Sequence, residues 1–451
     1  MLDRKGRAQP TQIHEPAETD EPAPALASSI GSLLLLSLSM LVGFMMLQSF
    51  GIMGESAKAE LHLSDTALGA VQGVSAAIPL VLFSIPIGIW VDRSNRVWIL
   101  TIMSIGWTLG TFVTAAASTT SILFLGRMLT GIGTTGGLTA VLSLASDYCR
   151  PDQRGRALLV PNIAKTAGIA AGFAVAGFLL GEVTASRLPN IFGASPWRSA
   201  QWMLGFASAA LVLPLLLLRE PQRHEVEVSS SAPMSIVLAE VKARRGWIIP
   251  LFIGQTSVVM ADAAAAIWIS PVLQRNYHLE PGDFAGWLGA IVLGTGIVGS
   301  IIGGLAADAG QKSRIRGGLL IGAVVASIAG IPSALFPLMP NVQGVAVAIG
   351  LLMLAGSVTA IVASAALTVW LPNELRGLCI GAFIAIAGLI GFGIAPSLVT
   401  LASNLLGGEA HLSVALAIVG TIVSIVAVAG FAAALRHAPV AIPANEDNPI
   451  R

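Results

Sequence analysis

Twelve apolar stretches of about 20 or more residues, separated by short polar turns, leave this chain few folds to choose from. Each is long enough to cross a hydrocarbon core of roughly 30 Å as a helix. A helix satisfies its own backbone N–H and C=O groups, which a solvent without water requires. The stretches run at about 30–53, 66–90, 97–118, 121–145, 156–181 and 197–218, then at about 246–272, 283–307, 317–337, 342–369, 377–405 and 411–435. Only 11% of the residues are charged, against about 25% in a soluble chain. The expected fold class is all-α integral membrane, with twelve transmembrane helices.

The chain also repeats itself. Gly88-Ile89-Trp90-Val91-Asp92-Arg93-Ser94-Asn95-Arg96 and Gly304-Leu305-Ala306-Ala307-Asp308, the latter trailed by Lys312, Arg314 and Arg316, each set an Asp four residues after a Gly between two apolar runs. Their offset is 304 − 88 = 216, and Leu61-His62-Leu63 with Tyr277-His278-Leu279 gives 278 − 62 = 216. Two landmarks at one offset point to a duplicated unit in one orientation, hence two six-helix bundles. The expected bundles are 30–218 and 246–435, joined by a polar cytoplasmic linker, 219–245, whose last part from Met234 to Arg245 reads as a short surface helix. Residues 1–29 mix basic, acidic and proline residues and read as a disordered tail, with a second tail at 436–451. The start does not read as a signal peptide, because no short apolar stretch with a cleavage site follows its basic residues.

An even number of spans puts both termini on one side. Taking that side as cytoplasmic places roughly nineteen of the 25 Lys and Arg there and about four outside, a positive-inside bias. The expected location is a bacterial inner membrane. Cys149 and Cys379 fall at short loops on the cytoplasmic side, without the spacing of a zinc site, and no disulfide is expected there. Trp197, Trp247, Trp268, Trp287 and Trp370 lie near span ends, as an aromatic belt requires.

Three ionisable residues fall inside spans. Arg127 is about six residues from the outer end of span four. An arginine at the bilayer centre costs about 2.5–3.5 kcal/mol on insertion scales, so one retained there usually faces the bundle interior. Snorkelling is the rival reading. Lys165 is some nine residues into span five and can reach partway to the cytoplasmic face. Asp262, in the middle of span seven, is the one acid deep in a membrane segment and is too short to snorkel far.

These residues sit in motifs similar to those of a known family. Gly88-x-x-x-Asp92-Arg93-x-x-Arg96 resembles the loop signature of the major facilitator superfamily, and Arg127-Met128-Leu129-Thr130-Gly131-Ile132-Gly133 resembles its second motif. Ser146 to Ala157 is similar to its loop between spans four and five, and Glu55 to Asp65 resembles the spinster-like branch. The branch carries an acid in span one and another seven residues after the span-four arginine. Here those positions are Met46 and Thr134. The resemblance implies that spans one, four, seven and ten line a central cavity, which makes Gln48, Arg127, Thr134, Thr135, Asp262, Ser357, Thr359 and Ser364 the candidate liners. It also implies that Asp92 and its loop meet the start of span eleven near Arg376, and that Asp308 meets the start of span five near Arg154, when the cytoplasmic side is shut. A carboxylate at a helix N-terminus is worth about 0.3–1 kcal/mol from the dipole alone.

Two Gly-x-Gly-x-x-Gly runs, Gly131 to Gly136 and Gly294 to Gly299, lie within apolar spans and follow no strand, so helix packing explains them better than a nucleotide. There is no Walker A run, no His-Glu-x-x-His and no nucleophile elbow. The expectation is a non-enzymatic secondary transporter without cofactor, ATP or nucleic acid, acting as a monomer in the lipid bilayer and drawing at most on a proton gradient. Two cationic candidates against one acid favour an amphipathic or anionic solute such as a lysolipid, a fatty acid or a drug. The rivals are an uncoupled facilitator and a membrane sensor or assembly protein that kept the fold.

Overall fold

The turn at His62 shows why the two halves resemble each other. In both, the first helix ends on a histidine in the left-handed region: His62 (φ 51°) closes α1, Ile30–Leu61, and His278 (φ 53°) closes α7, Arg245–Tyr277. The next helix begins in the same way in both. Ser64 accepts from Ala67 N at the start of α2 (Asp65–Leu82, continued by Ser84–Arg93), and Glu280 forms a capping box with Asp283 at the start of α8, Pro281–Lys312. A left-handed residue other than glycine costs roughly 1–2 kcal/mol. Finding it twice, 216 residues apart, carries the sequence repeat into the backbone.

The computed structural model describes residues 29–150, 153–221, 242–313, 315–371 and 373–439. Its remaining spans are α3 (Arg96–Ala116), α4 (Thr120–Asp147), α5 (Arg154–Thr184), α6 (Pro196–Leu217), α9 (Gly318–Leu338), α10 (Val342–Trp370), α11 (Phe383–Leu405, led in by a helix from Asn373) and α12 (Glu409–His437). No strand occurs among the described residues. The first span begins and the last ends on one side, here the terminal face; the other is the far face.

Small residues set the helix contacts, as expected where lipid offers no hydrophobic drive between helices. A Cβ on Gly133 of α4 would lie 2.5 Å from Met103 O of α3, and one on Gly168 of α5 would lie 2.4 Å from Leu41 O of α1. The same device joins the two halves along two seams. In the α5/α8 seam Gly177 abuts Ala285 and Gly289 abuts the Ala170 carbonyl; in the α2/α11 seam a Cβ on Gly73 would lie 2.3 Å from Phe392 O. Where α2 meets α11 both helices loosen into a π turn, Ala70–Val74 and Leu389–Ile394.

Two expectations change. Trp197, Trp247 and Trp268 are 1%, 5% and 0% exposed, so they fill the protein interior and are not a lipid-facing belt. The Trp268 ring lies against Gly69 between the halves. Cys379 lies within a helix and not in a loop, and both cysteines are buried and outside any disulfide. Most of the surface helix expected at Met234–Arg245 lies outside the described residues.

Candidate functional site

Arg127 projects from α4 into the first bundle and is 5% exposed. Nη1 donates to Met46 O at 3.3 Å, Nη2 donates to Leu47 O, and the guanidinium carbon stands 5.2 Å from the Phe50 ring centroid. Of its five N–H donors, Nε has no partner, and no carboxylate pairs with it among the described residues. The arginine therefore braces α4 against α1 while keeping a positive charge that nothing nearby neutralises. Thr134 is 3% exposed and donates to Thr130 O (2.8 Å) and Gly43 O (3.3 Å). In this conformation it is a second brace of α4 on α1, with its hydroxyl committed.

Asp262 sits at mid-depth on α7. It lies 277 − 262 = 15 residues before the last helical residue, as Met46 lies 61 − 46 = 15 before the end of α1. That is about 22 Å at 1.5 Å per residue. The two positions are thus structurally equivalent. The residue is partly accessible, but Oδ1 is sealed off and has no hydrogen-bond partner. Its carboxyl fills the space left by Gly356 of α10, where a Cβ would fall 2.0 Å from Oδ2.

The other candidates divide. Gln48 is half-buried, with its Cβ against Gly172 of α5. Thr135 and Lys165 are half-buried, and no ion pair holds Lys165 among the described residues. Ser357 packs on Gly299 of α8, Thr359 is fully buried and donates to Gly356 O, and Ser364 is exposed and donates to Ala360 O. Three buried amides stand outside that set. Gln72 of α2 has an unpartnered Nε2 beside Gly54, Gln201 of α6 reaches Ser49 Oγ at 3.4 Å, and Gln255 of α7 has an unpartnered Oε1 two turns before Asp262. An amide in an apolar run was the signal, since burying one without a partner costs about 1–3 kcal/mol.

On the far face five charges tie the halves together. Arg275 of α7 donates to Glu55 of α1 at 2.6 and 2.9 Å and to Asp65 of α2 at 2.6 and 2.8 Å. Lys58 bridges Asp65 (2.5 Å) to Glu409 of α12, and Glu409 also accepts from Asp65 N at 2.7 Å. The side chains of Arg275, Glu55 and Asp65 are 24%, 18% and 4% exposed, between the surface and buried regimes. Arg275→Gln is therefore expected to cost the far-side-closed state about 1–3 kcal/mol, shifting the conformer ratio roughly five- to hundredfold. Spin-label distances across the far ends of α1 and α7 check this, and an unchanged distribution would show that the seams alone hold that side shut.

On the terminal face Arg96 makes bonds that, among the described residues, stay within the first half. It donates to Glu220 at 2.7 Å, to Asp147 and to Pro221 O at 3.2 Å, clamping the ends of α3, α4 and α6 to one another. Expected as a gate residue, it is a strut inside the first bundle. Asp92 and Arg93 are exposed at the end of α2, and Asp308 is exposed near the end of α8. Arg154 donates to Ser146 O at 3.3 Å. The side chain of Arg376 lies outside the described residues.

Comparison with known proteins matches this architecture. Residues 33–326 match the model of the Major Facilitator Superfamily. The inward-facing, unoccupied structure of a bacterial homolog to the human lysosomal transporter Spinster superposes with a TM-score of 0.73 at 20% identity, covering 90% of this chain and 95% of that one. A D-xylose-proton symporter superposes with a TM-score of 0.65 at 15% identity, covering 91% and 98%. A triacylglyceride transporter of Mycobacteroides abscessus is 24% identical over 246 residues, 51% of this chain and 44% of that protein, so the match spans less than half of that relative. With twelve membrane-length helices and a family match across well over half its length, the chain belongs to the major facilitator superfamily and is a multi-pass membrane transporter of spinster-like fold.

Proposed function

We propose that the protein moves a small amphipathic or anionic organic solute, of lysolipid, fatty-acid or drug type, by rocking its two bundles about a site near the midplane. Arg127 carries this reading: a buried cation on a cavity-lining helix, with two backbone carbonyls for partners, an idle Nε and no carboxylate. The relative named as a triacylglyceride transporter and the spinster-like fold support the lipid-like character of the solute. In this reading the terminal face is cytoplasmic, the membrane is a bacterial inner membrane, the protein acts as a monomer without ATP, and the charged far face is the closed outer gate. Energy comes from a proton gradient through Asp262. One observation favours a second reading, an uncoupled facilitator: Met46 and Thr134 leave the first half without an acid at either position where the branch carries one. Flux into reconstituted vesicles against a panel of amphipathic anions, with and without a pH gradient, tests the proposal. Accumulation only with the gradient supports coupling, equilibration alone supports the facilitator, and no flux for any of them overturns transport of this class.

The seams support a gate on the terminal face. Because α2 and α11 pack antiparallel, the end of α2 lies on the same side as the start of α11; α8 and α5 are related in the same way. Asp92 and Asp308 thus stand where each can cap the helix across the seam when that side shuts. Asp92→Asn and Asp308→Asn are each expected to raise cysteine labelling of the cavity from the terminal face about twofold to fivefold, the equivalent of a dipole-scale contact of about 0.3–1 kcal/mol. Unchanged labelling in both variants would remove the loops from the gate.

A further inference from the structure

The space between α8, α9 and α10, in the terminal-face half of the second bundle, is not filled by protein. A groove of about 530 Å³ runs there, walled by Ala306 and Gly310 of α8, Gly322 and Ala326 of α9, and Leu354 of α10. Its rim residues Ile302, Val325 and Leu351 are 42%, 62% and 47% exposed, so it opens sideways toward the bilayer. The corresponding space in the first bundle is closed. There Ile87 of α2 and Met103 of α3 meet over Gly136 of α4, 3.2 and 2.4 Å from where a Cβ would stand, and are 5% and 7% exposed. The groove is therefore a departure from the repeat and not a feature of the fold in general.

Its dimensions and ends narrow the occupant. From Ser313 back to Ile302 is 11 residues of α8, about 16 Å at 1.5 Å per residue. That is roughly half of a 30 Å hydrocarbon core, the thickness of one leaflet. Ser313 is the one hydroxyl-bearing residue of the lining, so the walls offer a polar solute almost nothing. At the surface end the groove meets the turn between α8 and α9, where Lys312 and Arg316 are both exposed. Arg316 gives Nε to Ala438 O at 2.9 Å, which leaves its terminal amino groups available, and no ion pair holds Lys312 among the described residues. Apolar walls open to lipid, one leaflet in length, with two cations at the headgroup end, fit one class of molecule.

We propose that this groove binds an anionic phospholipid from the leaflet at the terminal face, with one acyl chain between α8 and α9 and the phosphate held by Lys312 and Arg316. The site is separate from Arg127 and stands whatever the transported solute is. Native mass spectrometry of the delipidated full-length protein, titrated with phosphatidylglycerol, phosphatidylcholine and oleate, tests it. Phosphatidylglycerol is expected to be retained as one copy in preference to the other two. Lys312→Gln with Arg316→Gln should reduce that preference about thirtyfold, at about fivefold per basic residue near a membrane surface. Ala306→Leu with Ala326→Leu fills the groove and should remove the retained copy while leaving the thermal unfolding midpoint within a few degrees. If that pair fails to fold, Ala326→Val alone should lower retention in proportion to the volume added. Equal retention of phosphatidylglycerol in the filled variant, or in the single variant, would overturn the groove. Equal binding of phosphatidylcholine, or oleate binding that the glutamine variants lose just as fully, would overturn the phospholipid assignment.

Discussion

Arg127→Ala is expected to weaken binding of an anionic amphiphile about ten- to hundredfold while leaving a neutral analogue of the same shape bound as before. The magnitude is that of a charge-assisted hydrogen bond, about 1.5–3 kcal/mol. The selectivity follows from geometry. Two guanidinium donors are held by Met46 O and Leu47 O, so the plane is fixed on α1 before any ligand arrives, and Nε with the remaining N–H groups is left to receive one. Arg127→Lys keeps the charge and loses the fork, so it should fall between parent and alanine. A purely structural arginine predicts something else: loss of the brace between α1 and α4 would lower stability and weaken both ligands together. Isothermal titration with the paired ligands, alongside thermal unfolding of each variant, separates the two. Equal loss for anion and neutral analogue would make Arg127 a brace and nothing more.

The sequence already contained the twelve helices, because period and length of apolar runs are local properties. It also contained the register of the repeat, and the two left-handed histidines give that register a backbone meaning. What it hid were directions and distant partners. Trp197 and Trp268 lie near helix ends, but nearness to an end does not say whether a ring faces lipid or protein, and both turned inward. Thr134 lies on a helix that the resemblance makes cavity-lining, yet its hydroxyl is spent on Gly43 and Thr130. Glu55, Lys58, Asp65, Arg275 and Glu409 each look like a solvated charge at a span end when read alone. Their pairing needs Arg275 to meet Asp65 across 210 positions and Lys58 to meet Glu409 across 351, which no single-sequence pattern reports. Arg96 sits in the same short loop as Asp92, but its depth against Glu220 and Asp147 is a tertiary fact.

Asp262→Asn should abolish pH-driven accumulation while sparing exchange of substrate across the membrane. Position 46 in α1 and position 262 in α7 lie at the same depth, 16 residues before matching left-handed caps. The acid absent at position 46 has a counterpart at position 262, which is where the proposed coupling puts its proton site. Oδ1 is buried without a partner, and Oδ2 faces the gap at Gly356. Among the described residues no cation pairs with this carboxyl, so its proton is the simplest means of neutralising it in the membrane. Coupling one proton to one monovalent anion moves no net charge. The pH gradient alone then drives the cycle, and one pH unit supplies about 1.4 kcal/mol, or about tenfold accumulation. Asparagine keeps the shape and cannot titrate, so the ratio of internal to external substrate should fall from about ten to about one while counterflow continues. Gly356→Ala probes the same group from α10: a Cβ 2.0 Å from Oδ2 must displace the carboxyl, and it should shift the pH dependence of accumulation even with Asp262 intact. Vesicle uptake at fixed gradients measures both. Accumulation that survives in Asp262→Asn with its pH dependence unchanged would take Asp262 out of the coupling step and favour a facilitator driven by the solute gradient alone.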